Sequence, residues 1–165
     1  MQTAWIDEVM MLKFNCSVFC LVLLGLLLIG SQVSLASAAT TEELLQQADT
    51  AWAAGDVEAA EARFRDAVAG AADGTAELRR GGFYLSQNRL ADAVTSFQAA
   101  LSAGLPDARL QSRAFLGMGI AYLHSGKPSL ARAAFDEASR IDPARAAEIQ
   151  PLLEELDKKE KPMGH

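Results

Sequence analysis

Three stretches of this chain carry one spacing. Ala60, Phe64 and Ala67 lie in AEARFRDAVAGA, Ala93, Phe97 and Ala100 in ADAVTSFQAALSAG, and Ala131, Phe135 and Ala138 in ARAAFDEASRIDP. An alanine four residues before a phenylalanine and another three after it share one face of a helix. The phenylalanines stand 33 and then 38 residues apart. A period in this range belongs to stacked helical hairpins, each burying a face that a lone hairpin leaves open. The longer second interval falls on the connection from Gly104 to Arg109, where added loop length costs little.

The rest of the pattern agrees. From Ala39 onward there is no strand alternation, and breakers recur at Gly55-Asp56, Gly70 to Gly74, Asn88, Gly104 to Pro106, Gly126 to Pro128 and Asp142-Pro143. Between them the spacing predicts paired helices, with Pro128 at a first helical position. Two helices approach closely where one lacks a side chain, which points to Gly119 with Ala131 and Gly81 with Ala93. Gly81-Gly82 inside a helix costs on the order of 1 kcal/mol each against alanine, a cost that close packing is expected to offset. The phenylalanines then fill the space between successive hairpins.

On these residues the chain resembles the tetratricopeptide repeat family. In the third unit Phe115 stands for the family's tryptophan and Met118-Gly119 for its Leu-Gly, followed by Tyr122, Ala131, Phe135, Ala138 and Pro143. The second unit keeps Gly81, Tyr84, Ala93, Phe97 and Ala100 but carries Glu77 and Arg80 where apolar residues are usual. The first has Ala48 and Ala51 for Gly and Tyr, with Gly55 in the turn and the full Ala60-Phe64-Ala67 set. The resemblance spans about residues 41 to 143. It implies an all-α, right-handed superhelical array of about three hairpins (about 41–73, 74–107 and 108–142). A capping helix and charged tail over 143–165 close the array. In the capping helix Ala147, Ile149, Leu152, Leu153 and Leu156 form the apolar side, and Pro151 is expected to kink or split it.

The leading helices carry the functional reading. Phe115, Met118, Gly119 and Tyr122 face their own partner helix, which leaves Leu116, Ile120 and Leu123 on another side. A helix apolar all round must be covered all round. In the resembling family that side lines a concave groove. The groove would then comprise Leu45, Asp49 and Trp52, then Leu78, Gly82 and Leu85, then Leu116, Ile120 and Leu123, with His124 at its edge. Leu85 and Leu123 are expected to be partly exposed. Some members of the family hold carboxylate-ended peptides through Lys and Asn of the first leading helix; Leu45 and Asp49 occupy those places, so that clamp is absent.

The N-terminal stretch reads differently. Val18 to Ile29 is a run of twelve apolar residues, no charge falls between Lys13 and Glu42, and Ala36-Ser37-Ala38 has the spacing of a signal-peptidase site. Twelve residues suit a secretory signal and fall short of the ~20 that span a bilayer. We therefore expect a signal peptide over residues 1–38, and an exported, periplasmic protein beginning near Ala39. Translation from Met11 would place Lys13, rather than Asp7 and Glu8, ahead of the apolar run. The alternative is a membrane anchor retained through residues 14–36. Phe19 precedes Cys20, so no lipoprotein site is formed. Cys16 and Cys20 both fall in this segment, which leaves no cysteine for a disulfide, nucleophile or metal site in the mature chain.

Chemistry is not expected. Without Lys13, Asp7 and Glu8 the chain holds 14 basic and 19 acidic residues, a net charge of −5, which argues against nucleic acid or an anionic membrane as partner. The histidines are His124 and the terminal His165. The adjacent acids Glu42-Glu43, Asp136-Glu137 and Glu154-Glu155 point to different sides of a helix. No enzyme, cofactor or metal is expected. The expected function is a scaffold that binds a protein or peptide partner through an apolar concave groove. The alternative is a structural subunit of a cell-envelope complex, or a homo-oligomer that assembles through its ends and convex face.

Overall fold

A computed structural model describes residues 39–160. The expected signal segment, with Cys16 and Cys20, and the end of the charged tail with His165 lie outside those residues. Seven α-helices are present among the described residues: α1 (Thr41–Ala53), α2 (Val57–Ala69), α3 (Thr75–Ser86), α4 (Leu90–Ala103), α5 (Ala108–His124), α6 (Pro128–Ile141) and α7 (Ala146–Glu160). None of them is long and apolar enough to cross a membrane. Helices α1 and α2, α3 and α4, and α5 and α6 pair as hairpins, and the hairpins pack in sequence order.

Local chemistry sets the helix starts. Thr40 and Glu43 form a reciprocal capping box at α1, with Thr40 N–H donating to Glu43 Oε2 at 2.8 Å and Glu43 N–H to Thr40 Oγ1 at 3.2 Å. Asp56 caps α2 through Ala59 N–H at 3.0 Å, and Asp107 caps α5 through Leu110 N–H at 2.8 Å. The three turns inside hairpins are one structure repeated. Gly55, Asn88 and Gly126 take left-handed φ values of 80°, 56° and 68°. After them Asp56, Arg89 and Lys127 donate to the carbonyls of Ala51, Tyr84 and Tyr122, each at 2.9 Å. The left-handed residue lets the chain satisfy the last helical carbonyls while reversing. Those carbonyls belong to Ala51, Tyr84 and Tyr122, which confirms the repeat register at backbone level.

The nine residues of the alanine-phenylalanine triplets are all buried. Phe97 lies against Gly81 of its own hairpin and Gly117 of the next. Phe135 lies against Gly119, and the Phe64 ring meets Phe83 of the following hairpin at 5.3 Å between centroids. The polar substitutes in the second unit pair with each other: Arg80 Nη2 donates to Glu77 Oε1 at 2.8 Å and Arg80 Nε to Ser96 Oγ at 3.3 Å, while the buried Glu77 Oε2 accepts no hydrogen bond.

The two adjacent glycines separate. A Cβ on Gly81 would stand 2.6 Å from Phe97 Cε1, whereas a Cβ on Gly82 would meet nothing within 4 Å. Packing therefore accounts for Gly81 and not for Gly82, contrary to the expectation for the pair. Gly82→Ala should stabilise by up to about 1 kcal/mol through helix propensity and a less flexible unfolded chain. Gly81→Ala should lose about 1–3 kcal/mol to overpacking. Urea midpoints of the two variants should move in opposite directions from the parent.

A 3₁₀ turn, Pro143–Arg145, leads into α7. This helix runs through Pro151 as one element, so the expected split does not occur. A proline here removes one backbone bond, while Ile149 before it and Leu156 after it are both buried. That burial on both sides holds the helix together. Arg132 of α6 reaches Asp157 of α7 at 2.6 Å.

Candidate functional site

Successive leading helices touch: α1 packs on α3 and α3 on α5, while α2 with α4, and α4 with α6, form no comparable interface. The leading helices therefore line the inner side of the stack. On that side a hollow of about 500 Å3 is lined by Asp49 and Trp52 of α1, Thr75, Leu78, Arg79 and Gly82 of α3, and Leu110 and Arg113 of α5. That volume falls within the ~300–1,000 Å3 of ligand-sized clefts.

Each wall has a definite support. The Trp52 ring stands edge-on to buried Phe83 at 5.9 Å and 89°. Arg79 pairs with Asp49 across the α1–α3 interface and lies 3.6 Å from Glu42. Gly82 leaves the centre of the wall open. Away from the hollow, Tyr84 donates to Glu61 at 3.1 Å, and Arg89 covers the Tyr84 ring at 4.3 Å while pairing with Glu61 at 2.8 Å. Burial, then the Glu61 carboxylate, push the Tyr84 phenol above its ordinary range. This cluster ties the first hairpin to the second and so helps fix the spacing of α1 and α3.

The sequence-predicted residues divide. Asp49, Trp52, Leu78 and Gly82 come together in the hollow. Leu78 is only 3% exposed and forms its floor. Leu45, 2% exposed, belongs to the core beneath. Leu85 is half-buried against the same core. Leu116 and Leu123, 6% and 5% exposed, pack with Ile149 and Leu156 of α7, and half-buried Ile120 joins them. The expected exposure of Leu123 is thus corrected: the capping helix covers that side of the third unit. His124 is exposed at the end of α5 and is not among the residues lining the hollow.

Thr75, Arg79, Leu110 and Arg113 were missed. Equivalent repeat positions were assumed to share one surface, but the hollow crosses the helices obliquely. It meets α1 near its C-terminal end, α3 along most of its length and α5 near its start. A sequence signal did exist. On a helix an arginine normally finds an acid three or four residues away, as Arg63 does with Asp66 and Arg140 with Glu137. Among the described arginines only Arg79, Arg109 and Arg113 have no such acid in sequence, and two of the three line the hollow.

Comparison with known proteins now bears on the fold. The family model described as Tetratricopeptide repeat matches residues 45–108 and again 84–146. A solved structure of Pseudomonas aeruginosa PilF superposes with a TM-score of 0.68 at 21% identity, covering 75% of this chain and 55% of that one. The chain thus spans little more than half of PilF. The TPR domain of Arabidopsis OM64 superposes with a TM-score of 0.62 at 18% identity, covering 72% of this chain and 94% of that one. These likenesses carry the fold. A search of curated proteins finds no match.

Proposed function

Since the chain belongs to the tetratricopeptide repeat family, whose fold serves protein–protein interaction, we propose that it is an exported module that binds a segment of a partner protein in the hollow across α1, α3 and α5. The observation that carries this reading is that three successive leading helices contribute to one hollow with both apolar and charged walls. Mixed walls of this kind fix a ligand's orientation as well as bury it. Export rests on the apolar run and the Ala36-Ser37-Ala38 site, with the retained anchor as its rival. Assembly through the ends draws less support. Burial of Leu116 and Leu123 under α7 closes one end, while at the other end the outer side of α1 mixes Glu43, Gln46, Gln47 and Thr50 with Ala51 and Ala54.

The test uses Gly82, which lines the hollow and where a Cβ would meet nothing within 4 Å, so that a larger side chain has room to enter it. Bait protein and its Gly82→Phe variant are compared for capture from envelope extract, with melting curves confirming that both fold. A protein retained by the parent and lost by the variant supports the reading. Equal retention places binding elsewhere, and a concentration-dependent mass of the purified chain would favour self-assembly.

A further inference from the structure

We propose that the front joint, between the first and second hairpins, is a hinge whose angle is set by two charged latches. The rear joint, between the second and third hairpins, is rigid, so the curvature of the array changes with ionic strength at one place. This holds whether or not a partner occupies the hollow. The two joints differ in kind. The rear joint seats a ring against backbone: a Cβ on Gly117 would stand 2.4 Å from Phe97 Cζ, and one on Gly81 2.6 Å from Phe97 Cε1. A ring seated flush on two helices cannot slide without opening a void or a clash. The front joint packs ring against ring. Phe83 of α3 meets Phe64 of α2 at 5.3 Å with a 38° tilt, and Trp52 of α1 edge-on at 5.9 Å. Aromatic pairs stay favourable over centroid separations of about 4.5–7 Å and in both offset and edge geometries. These rings can therefore shift against one another and serve as a pivot.

Charge holds the pivot on two sides. Toward α1, Arg79 of α3 pairs with Asp49 and stands 3.6 Å from Glu42. Toward α2, Arg89 in the turn after α3 pairs with Glu61 at 2.8 Å, and Tyr84 donates to the same carboxylate at 3.1 Å. The charged groups of both latches are half-buried or exposed, so salt reaches them. Ion pairs in such positions weaken as salt is raised. The rear joint has no counterpart. The charged side chains of α3, α4 and their turn are Glu77, Arg79, Arg80, Arg89 and Asp92. Among the described residues each pairs inside the second hairpin or back to the first, and none reaches the third. Loosening the latches thus frees the first hairpin to tilt about Phe83 as a body.

The experiment reads the two joints separately, by spin-label distance measurements on the full chain carrying Cys16→Ser and Cys20→Ser. Arg65, Gln98 and Asp136 each follow a triplet phenylalanine, on α2, α4 and α6, and all three are exposed. Labels attached through Arg65→Cys with Gln98→Cys report the front joint, and through Gln98→Cys with Asp136→Cys the rear one. Raising salt from about 0.1 M to about 1 M shortens the screening length from about 10 Å to about 3 Å. The front distance distribution should then roughly double in width while the rear one stays as it was. The double variant Arg79→Gln, Arg89→Gln should show the broad front distribution already at low salt and lose the response to salt. A joint held by packing alone would show neither effect. A front distribution that is indifferent to salt, or that stays narrow in the double variant, overturns the inference. So does a rear distribution that spreads together with the front one, in salt or in the double variant, because the charged pairs would then support one continuous core.

Discussion

Phe97→Ala should lower stability by about 3–5 kcal/mol, the usual range for emptying a buried phenylalanine site. The ring is 3% exposed and fills the space above Gly81 and against Gly117. Its loss opens a cavity at two interfaces, within the second hairpin and between the second and third. Neither glycine has a side chain with which to close it. Natural domains hold about 5–15 kcal/mol in reserve, so the variant should melt at least 10 °C lower, on the order expected for a domain of this size. In a stack whose units contact only their neighbours, damage at the centre severs the two ends. Equilibrium unfolding should therefore broaden or split. A melting temperature within 2 °C of the parent (a shift worth well under about 1 kcal/mol) would contradict this assignment of the central phenylalanine.

Leu123→Glu should cost more than about 3 kcal/mol and release α7. The position is 5% exposed and packs with Ile149 and Leu156, so a carboxylate there would be buried among aliphatic side chains without a counter-charge. The damage should concentrate at one end. Amide exchange in α6 and α7 should accelerate strongly, while α1 to α3, which share no core with Leu123, keep most of their protection. A variant that melts like the parent with α7 still protected would return Leu123 to the surface and reopen the third unit as part of the groove.

The two variants also mark what could be read from residues alone. Phe97 was legible because a helical hairpin stack imposes a spacing on the chain, and the Ala-Phe-Ala triplets keep it through three units. The turns were legible too, since Gly55, Asn88 and Gly126 stand where the backbone takes positive φ. Leu123 was not. Its apolar side reads alike whether a partner or the chain's own α7 covers it, and nothing local distinguishes the two. The hollow was half legible for a geometric reason. Residues at equal repeat positions, such as Asp49, Gly82 and Ile120, would share a wall only if the hollow crossed each helix at the same height. It crosses them obliquely, so Arg113, the counterpart of Thr75, enters where Ile120 was expected. Gly82 shows the same limit in miniature. Beside Gly81 it looked like a second packing glycine, and only the open space in front of it separates their roles.

The central claim is that the partner lies against the leading helices across α1, α3 and α5. Site-specific photocrosslinking tests it most directly. A benzophenone side chain is placed at Thr75, in the lining of the hollow, and separately at Leu130, the 48% exposed residue near the start of α6 on a trailing helix. The account predicts a crosslinked partner from Thr75, lost in the Gly82→Phe variant, and none from Leu130. A partner crosslinked from Leu130 and not from Thr75 would contradict it.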